Sequence, residues 1–233
     1  MPDKKIYICG DSFCVEDIEY GLNWVNILKN KNPQAQVTNL SSVGASNYLI
    51  YLQVKQAIDE GADHIIYNAT SSIRQELAIS YDSSVTDHAE RYYNHSKPNL
   101  IKPMMSSTWS TTHQLDQKLV SNRQLDEINN FFKQYLDLPM LIEKSYIFIS
   151  HTLQLLSSSD LVSWAWSRGG FEHPLFVNNT AASWDFSMYQ KLENQINLWD
   201  YYTSGAIRPY YHIVDDKIHR NYCNNFENLL QLH

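Results

Sequence analysis

Glycine is scarce: 7 of 233 residues, less than half the usual share of ~7%. That excludes collagen-like and glycine-linker designs and argues against a glycine-rich phosphate cradle. Cysteine is scarcer still. Cys9, Cys14 and Cys223 are an odd number at no metal-ligand spacing, which reads as reduced thiols in a cytosolic fold. The Asn-x-Ser/Thr triplets at Asn39, Asn68, Asn94 and Asn178 therefore carry no glycosylation argument. Basic charge is also short, 18 Lys and Arg against 25 Asp and Glu, for a net −7 and a pI near 5.7. Such a surface repels phosphate backbones, and with no local basic patch a nucleic-acid partner is not expected. No apolar run approaches the ~18–20 residues needed to cross a bilayer. The opening MPDKKIYICGDSF has only a four-residue apolar run before Gly10-Asp11, too short for the apolar stretch of a secretory signal.

What is present is a globular composition, 43% apolar and 18% charged, with 6 Trp, 16 Tyr and 8 Phe to build a core and line a cleft. The length suits one domain over residues 1–233. Lys5–Cys9 is a short apolar run ending at Gly10-Asp11-Ser12, the pattern of a buried strand meeting a turn. Ile18, Leu22, Val25 and Leu28 then recur at helical spacing, predicting a helix over about 15–30. A second strand is expected at Ala35–Leu40, followed by the turn Ser41–Gly44. A second helix is expected from about Ala45 to Glu60, with Leu49, Leu52 and Ile58 on its apolar side. Asp63–Asn68 reads as a third strand and Thr70-Ser71-Ser72 as its exit. Strand–helix–strand–helix–strand in seventy residues means βαβ units and a parallel sheet.

From Tyr81 to Asn122 the sequence is polar and without a clear period, an excursion over the sheet edge that covers the cleft. With the helical patterns at 125–136 and Pro139–Leu156 it extends over about 81–158. Leu161–Trp166 alternates and predicts a fourth strand; Pro174–Asn178 is a fifth candidate. Tyr222, Phe226, Leu229 and Leu230 mark a closing helix over about 219–232.

Ligands of open α/β sheets bind at the carboxyl ends of the strands. Three polar turns occupy that edge here: Gly10–Phe13, Ser42–Gly44 and Thr70–Ser72. A serine between strand and helix lies near the positive helix end, where an oxyanion is also stabilised. It needs a base and a group that orients the base. Asp216-Lys-Ile-His219 supplies both at a spacing that lets the two side chains leave one turn on the same side.

Gly10-Asp11-Ser12-Phe13, Gly44 after the second strand and Asp216-x-x-His219 resemble the blocks of the SGNH (GDSL-like) hydrolases, in the same order and over essentially the whole chain. The resemblance implies a three-layer α/β/α fold, a central parallel sheet of about five strands in flavodoxin-like order, and ester hydrolysis without a cofactor or metal. Carried over by position, it makes Ser12 the nucleophile, His219 the general base and acid, and Asp216 the residue orienting His219. The backbone N–H groups of Ser12 and Gly44 would line the oxyanion hole. The substrate implied is a small-molecule or carbohydrate ester. One block departs: the family's Gly-x-Asn-Asp is replaced by Tyr67-Asn-Ala-Thr-Ser-Ser-Ile-Arg74. Ser72 falls nearer the family asparagine than Asn68, which lies within the expected strand; Ser72 is the expected third donor and Asn68 its rival. Ser41–Asn47 and the Thr-Ser-Ser-x-Arg exit look most like a divergent subgroup associated with bacteriophage genomes. The expected setting is thus cytoplasmic or virion-associated.

Plainer roles compete with each of these. Asp11-Ser12 would also serve as a helix cap. Asp216 would also cap the last helix, and Asp215 rivals it as orienter. His151, His173 and His212 read as surface or core residues, Trp164 and Trp166 as core, and Arg74 as an ion-pair partner. A metal site from His212, Asp215, Asp216 and His219 fits only by ligand type.

Overall fold

The computed structural model describes residues 4–11, 14–15, 23–42, 45–70, 72, 75–78, 104–107, 138–159, 162–168 and 195–197. It also describes helical positions 123, 126, 127, 130 and 134, and residues 219–227 apart from 222 and 225. The strands are β1 (Lys5–Cys9), β2 (Gln36–Asn39), β3 (His64–Ala69), β4 (Gln75–Ala78), β5 (Met104–Ser107), β6 (Ser163–Arg168) and β7 (Gln195–Asn197). The helices are α1 (Trp24–Lys31), α2 (Asn47–Asp59) and α3 (Leu138–Ser157). Five strands form one parallel sheet in the order β2-β1-β3-β6-β7, which is 2-1-3-4-5 among its own members. β4 and β5 form a separate antiparallel pair, Gln75 opposite Ser107.

A central parallel strand is covered on both faces, so it reads as an unbroken apolar run. β3 is buried at all six positions and β1 at four of five. Their alternate residues serve two cores. Tyr7, Cys9, Ile65, Tyr67 and Ala69 face α2 and α3; Ile6, Ile8 and Ile66 face α1 and the segment 219–227. The result is an α/β/α arrangement with its sheet in the middle. On the second face Trp24 of α1 and Phe226 stack with ring centroids 5.3 Å apart, both fully buried. Burial of one such ring stabilises by roughly 1.5–3 kcal/mol.

Local chemistry sets the helix ends. The Asn23 side chain accepts from the Asn26 N–H to cap α1, and Ser46 accepts from Leu49 to cap α2. α2 stops at Gly61, whose φ of +75° is the left-handed conformation glycine tolerates best. There the Gly61 N–H bonds to Ile58 O and the Ala62 N–H to Ala57 O, satisfying the last carbonyls.

Several expectations shift. The buried face of α2 is Asn47, Ile50, Val54 and Ala57, with Leu49 and Ile58 at its margin. α1 is described only from Trp24, and residues 16–22 lie outside the described residues. The fourth strand of the sheet runs Ser163–Arg168, two residues later than the alternation suggests. The fifth is Gln195–Asn197; the expected fifth at 174–178 lies outside the described residues. α3, inside the stretch expected as an excursion, packs on the sheet through Ile142, Tyr146, Ile149, Leu153 and Leu156.

His64 is buried at the amino end of β3, with Nδ1 2.5 Å from the Oγ of its register partner Ser163. Burial holds its imidazole below the usual histidine range, Lys4 adds to this, and Asp63 opposes it. The folded chain therefore takes up this proton less readily than the unfolded chain. The stability is fully present above the unfolded value of ~6.5 and is lost as pH falls below it. Thermal melts from about pH 7.5 to pH 5 should show Tm falling, by about 2–4 °C per kcal/mol in a domain of this size. His64→Gln should flatten that slope; an unchanged slope would assign it to other groups.

Candidate active site

The carboxyl edge of the sheet is built from side chains that bond main chain, where this glycine-poor sequence has few tight glycine turns to offer. β1 exits through Gly10, whose N–H bonds to Gln53 Oε1 at 2.7 Å and whose carbonyl accepts from the Ser42 N–H at 3.1 Å. A Cβ on residue 10 would stand 2.7 Å from Cys14 Sγ and 2.9 Å from Asn68 Cβ, so only glycine fits without displacement. Next comes Asp11, wholly buried. Its Oδ1 accepts from Asn68 Nδ2 at 2.9 Å and its Oδ2 from Thr70 Oγ1 at 2.5 Å. The Asp11 carbonyl accepts from the Cys14 N–H at 2.9 Å, and the Cys14 carbonyl accepts from Asn39 Nδ2 at 2.8 Å. Asn39 Oδ1 receives both the N–H and the hydroxyl of Ser41.

The β3 exit is tied to α2 in the same way. The Thr70 N–H donates to Asn47 Oδ1 at 2.9 Å, while Asn47 Nδ2 donates to the Thr70 carbonyl at 2.9 Å and to Ser145 Oγ of α3 at 2.5 Å. Buried polar groups must be paired in this manner, because each unmet one costs about 1–3 kcal/mol.

His219 reaches the same flank from the far end of the chain. It is buried, and its Nδ1 accepts from the Trp24 N–H, the first of α1, at 3.1 Å. Since the donor is a backbone N–H, Nδ1 is the acceptor nitrogen, and the proton of a neutral ring lies on Nε2. His219, Cys223, Phe226 and Glu227 share one buried helical face. That face is anchored at the other end of α1, where Lys31 Nζ meets Glu227 at 2.7 Å and Asn224 at 2.6 Å, and Asn32 Nδ2 meets Glu227 at 3.0 Å. Cys14 lies in the same core as Trp24, Cys223 and Phe226. A further link runs from Asn23 Nδ2, beside Trp24, to the Val15 carbonyl at 2.8 Å.

Of the residues expected in the site, His219, Asn68 and Ser72 are described. Ser72 is half-buried in the turn after β3. Ser12, Gly44 and Asp216 lie outside the described residues, as do Asp215, His173, His212 and Arg74. His151 is exposed on α3 and Trp164 packs half-buried against the core. Among the described residues no cluster of three or more His, Cys, Asp or Glu side chains could hold a metal ion. Again among them, no helix is long and apolar enough to cross a membrane. The sequence reading placed Thr70 in an edge turn without its bond to Asp11, and it missed Asn39 and Asn47 as site builders. The signal was available: each is a polar residue at the end of an apolar strand or the start of a helix, where the backbone leaves its bonds unmade.

The fold and edge define a doubly wound parallel α/β protein whose polar residues gather where such sheets bind ligands. No family model matches the chain, and neither does any curated protein. Among solved structures it is similar to a protein of the G-D-S-L family from Desulfitobacterium hafniense DCB-2, lipolytic by assignment. The two share 9% identity over 97% of this chain and 99% of that one, with a TM-score of 0.48.

The thiols are not candidate nucleophiles. Burial pushes Cys9 and Cys14 well up, with the Asp11 charge adding at Cys14, and it pushes Cys223 up to about 12. A neutral thiol is a poor nucleophile. The native protein at about pH 8 should therefore leave an aromatic disulfide reagent unreacted, and denaturant should release three thiols per chain. Fast reaction of one native thiol would show an opening at that residue.

Proposed function

We propose that the protein is a serine ester hydrolase of the SGNH type, acting through an acyl-enzyme. The observation that carries this reading is the docking of 219–227 against α1. It brings His219, 195 residues distant in sequence, to the flank that holds the Asp11–Cys14 stretch. Ser12 attacks the ester carbonyl, His219 takes its proton and later activates water, and Asp216 orients the imidazole. The oxyanion is held by the N–H groups of Ser12 and Gly44 and by a third donor. The Asn68 amide and the Thr70 hydroxyl both donate to Asp11, and the Thr70 N–H to Asn47. These bonds favour the remainder of the turn as the source of the third donor, with the Ser72 hydroxyl the side chain of choice and the second N–H of the Asn68 amide its rival. The substrates that suit this chemistry are carboxylic esters, among them O-acetylated carbohydrate, short acyl esters and lipids.

The His219 tautomer adds one requirement. A base that works through Nε2 must carry its own proton on Nδ1, facing a carboxylate. His219 Nδ1 must therefore exchange the Trp24 N–H for Asp216 before it can act. The same bond favours a second reading, a binding or structural protein in which His219 is a helix cap and catalysis is lost.

A fluorophosphonate probe separates the two. The hydrolase reading expects labelling of the wild type and none of Ser12→Ala or His219→Ala, with all three equally folded. Ser72→Ala should lower kcat on a p-nitrophenyl ester by up to ~10²–10³, the usual cost of an oxyanion donor. Asp216→Asn should cost much more activity than Asp215→Asn. An unlabelled, well-folded wild type would establish the non-catalytic reading.

A further inference from the structure

We propose that Asn68 and Thr70 are positioning residues, which act through the buried Asp11 carboxylate to fix the stretch 11–14 that contains Ser12; the catalytic part of this proposal rests on the hydrolase reading. A wholly buried carboxylate is costly unless donors meet it. Here each oxygen receives one, from Asn68 and from Thr70. Both donors come from β3 and its exit, and β3 lies beside β1 with Cys9 paired to Tyr67. On the other side of β1, Asn39 of β2 holds the Cys14 carbonyl. The two strands that flank β1 therefore grip opposite ends of the same four residues. The bond from the Cys14 N–H to the Asp11 carbonyl closes the stretch between them. Thr70 is itself held at N–H and carbonyl by Asn47, so its hydroxyl cannot follow Asp11 if that residue moves. Thr70 thus works as a fixed anchor. A side chain that only filled space would change stability; these two should also change how firmly residues 11–14 are held.

The test uses the full chain and compares Thr70→Val, which keeps the shape and removes the hydroxyl, with Thr70→Ser, which restores it, and with Asn68→Ala. Amide exchange by NMR reads the turn at Cys14, with Ile50, bonded to Ser46 inside α2, as the reference amide. Thr70→Val should speed Cys14 exchange roughly ten-fold, in line with the loss of one hydrogen bond to a charged group, and leave Ile50 unchanged. Its maximal rate of fluorophosphonate labelling should fall by a similar factor, with the probe concentration for half-maximal rate unchanged. Thr70→Ser should restore both. Because Asn68 also bonds the Cys14 side chain directly, the Thr70 variant decides: unchanged Cys14 exchange in Thr70→Val would overturn the proposal, as would equal loss of protection at Cys14 and Ile50. Altered exchange with wild-type labelling rates would overturn its catalytic part. If the wild type is not labelled at all, the hydrolase reading fails and the exchange data alone decide the positioning role. Should Thr70→Val not fold, Asp11→Asn supplies the same measurement from the other side of the bond, with faster Cys14 exchange expected.

Discussion

A carboxylate with no access to water is the constraint around which the carboxyl edge of this sheet is arranged. Asp11 sits one residue past the end of β1's glycine exit, fully enclosed, and the surrounding chain has to supply the solvation that water would give. Asn68 must then be a polar residue at the buried fifth position of β3. Thr70 must present its hydroxyl inward, and Asn47 must spend three hydrogen bonds holding Thr70 and Ser145 in place. Each of these side chains is buried, so replacing one leaves its partner unmet. Such networks are costly when broken and specific when whole.

This arrangement explains how a glycine-poor chain makes close strand exits. Gly10 is needed because Cys14 and Asn68 crowd its Cα. Elsewhere along the edge, side-chain amides and hydroxyls bond the turn backbone directly: Asn39 to Cys14 and Ser41, Gln53 to Gly10, and Asn47 to Thr70. Within β3, Asn68 likewise turns its amide toward the stretch that follows β1, where it meets Asp11.

The parallel core was legible because β1 and β3 are buried on both faces, and continuous apolar runs between turn residues leave little choice of element. The apolar face of α2 was harder to read. Leu49, Leu52 and Ile58 are no smaller than Ile50 and larger than Val54 and Ala57, yet the helix turns Ile50, Val54 and Ala57 inward, on the side where Asn47 meets Thr70. β4 has one strongly apolar residue in Gln-Glu-Leu-Ala, and β7 is three residues long, too short for any period to show. At the site, Asp216-x-x-His219 pointed to a base, but no pattern in sequence could reveal that a backbone N–H from residue 24 faces the imidazole. Contacts across 195 residues are set by packing, here by Trp24 against Phe226 and by Lys31 and Asn32 against Glu227.

That long separation has a consequence for the order of assembly on the ribosome. Asp11, Asn39, Asn47, Asn68 and Thr70 all fall within a stretch of sixty residues, and β2, β1 and β3 among them make three adjacent strands. Synthesis proceeds at about 5–20 residues per second, amino end first. The grip on residues 11–14 can thus form several seconds before His219 is translated. Until then the second face of the sheet lacks Cys223 and Phe226, and with Phe226 the ring that stacks on Trp24 at 5.3 Å. The nascent chain can thus carry the paired Asp11 carboxylate before the segment 219–227 closes the second face of the sheet.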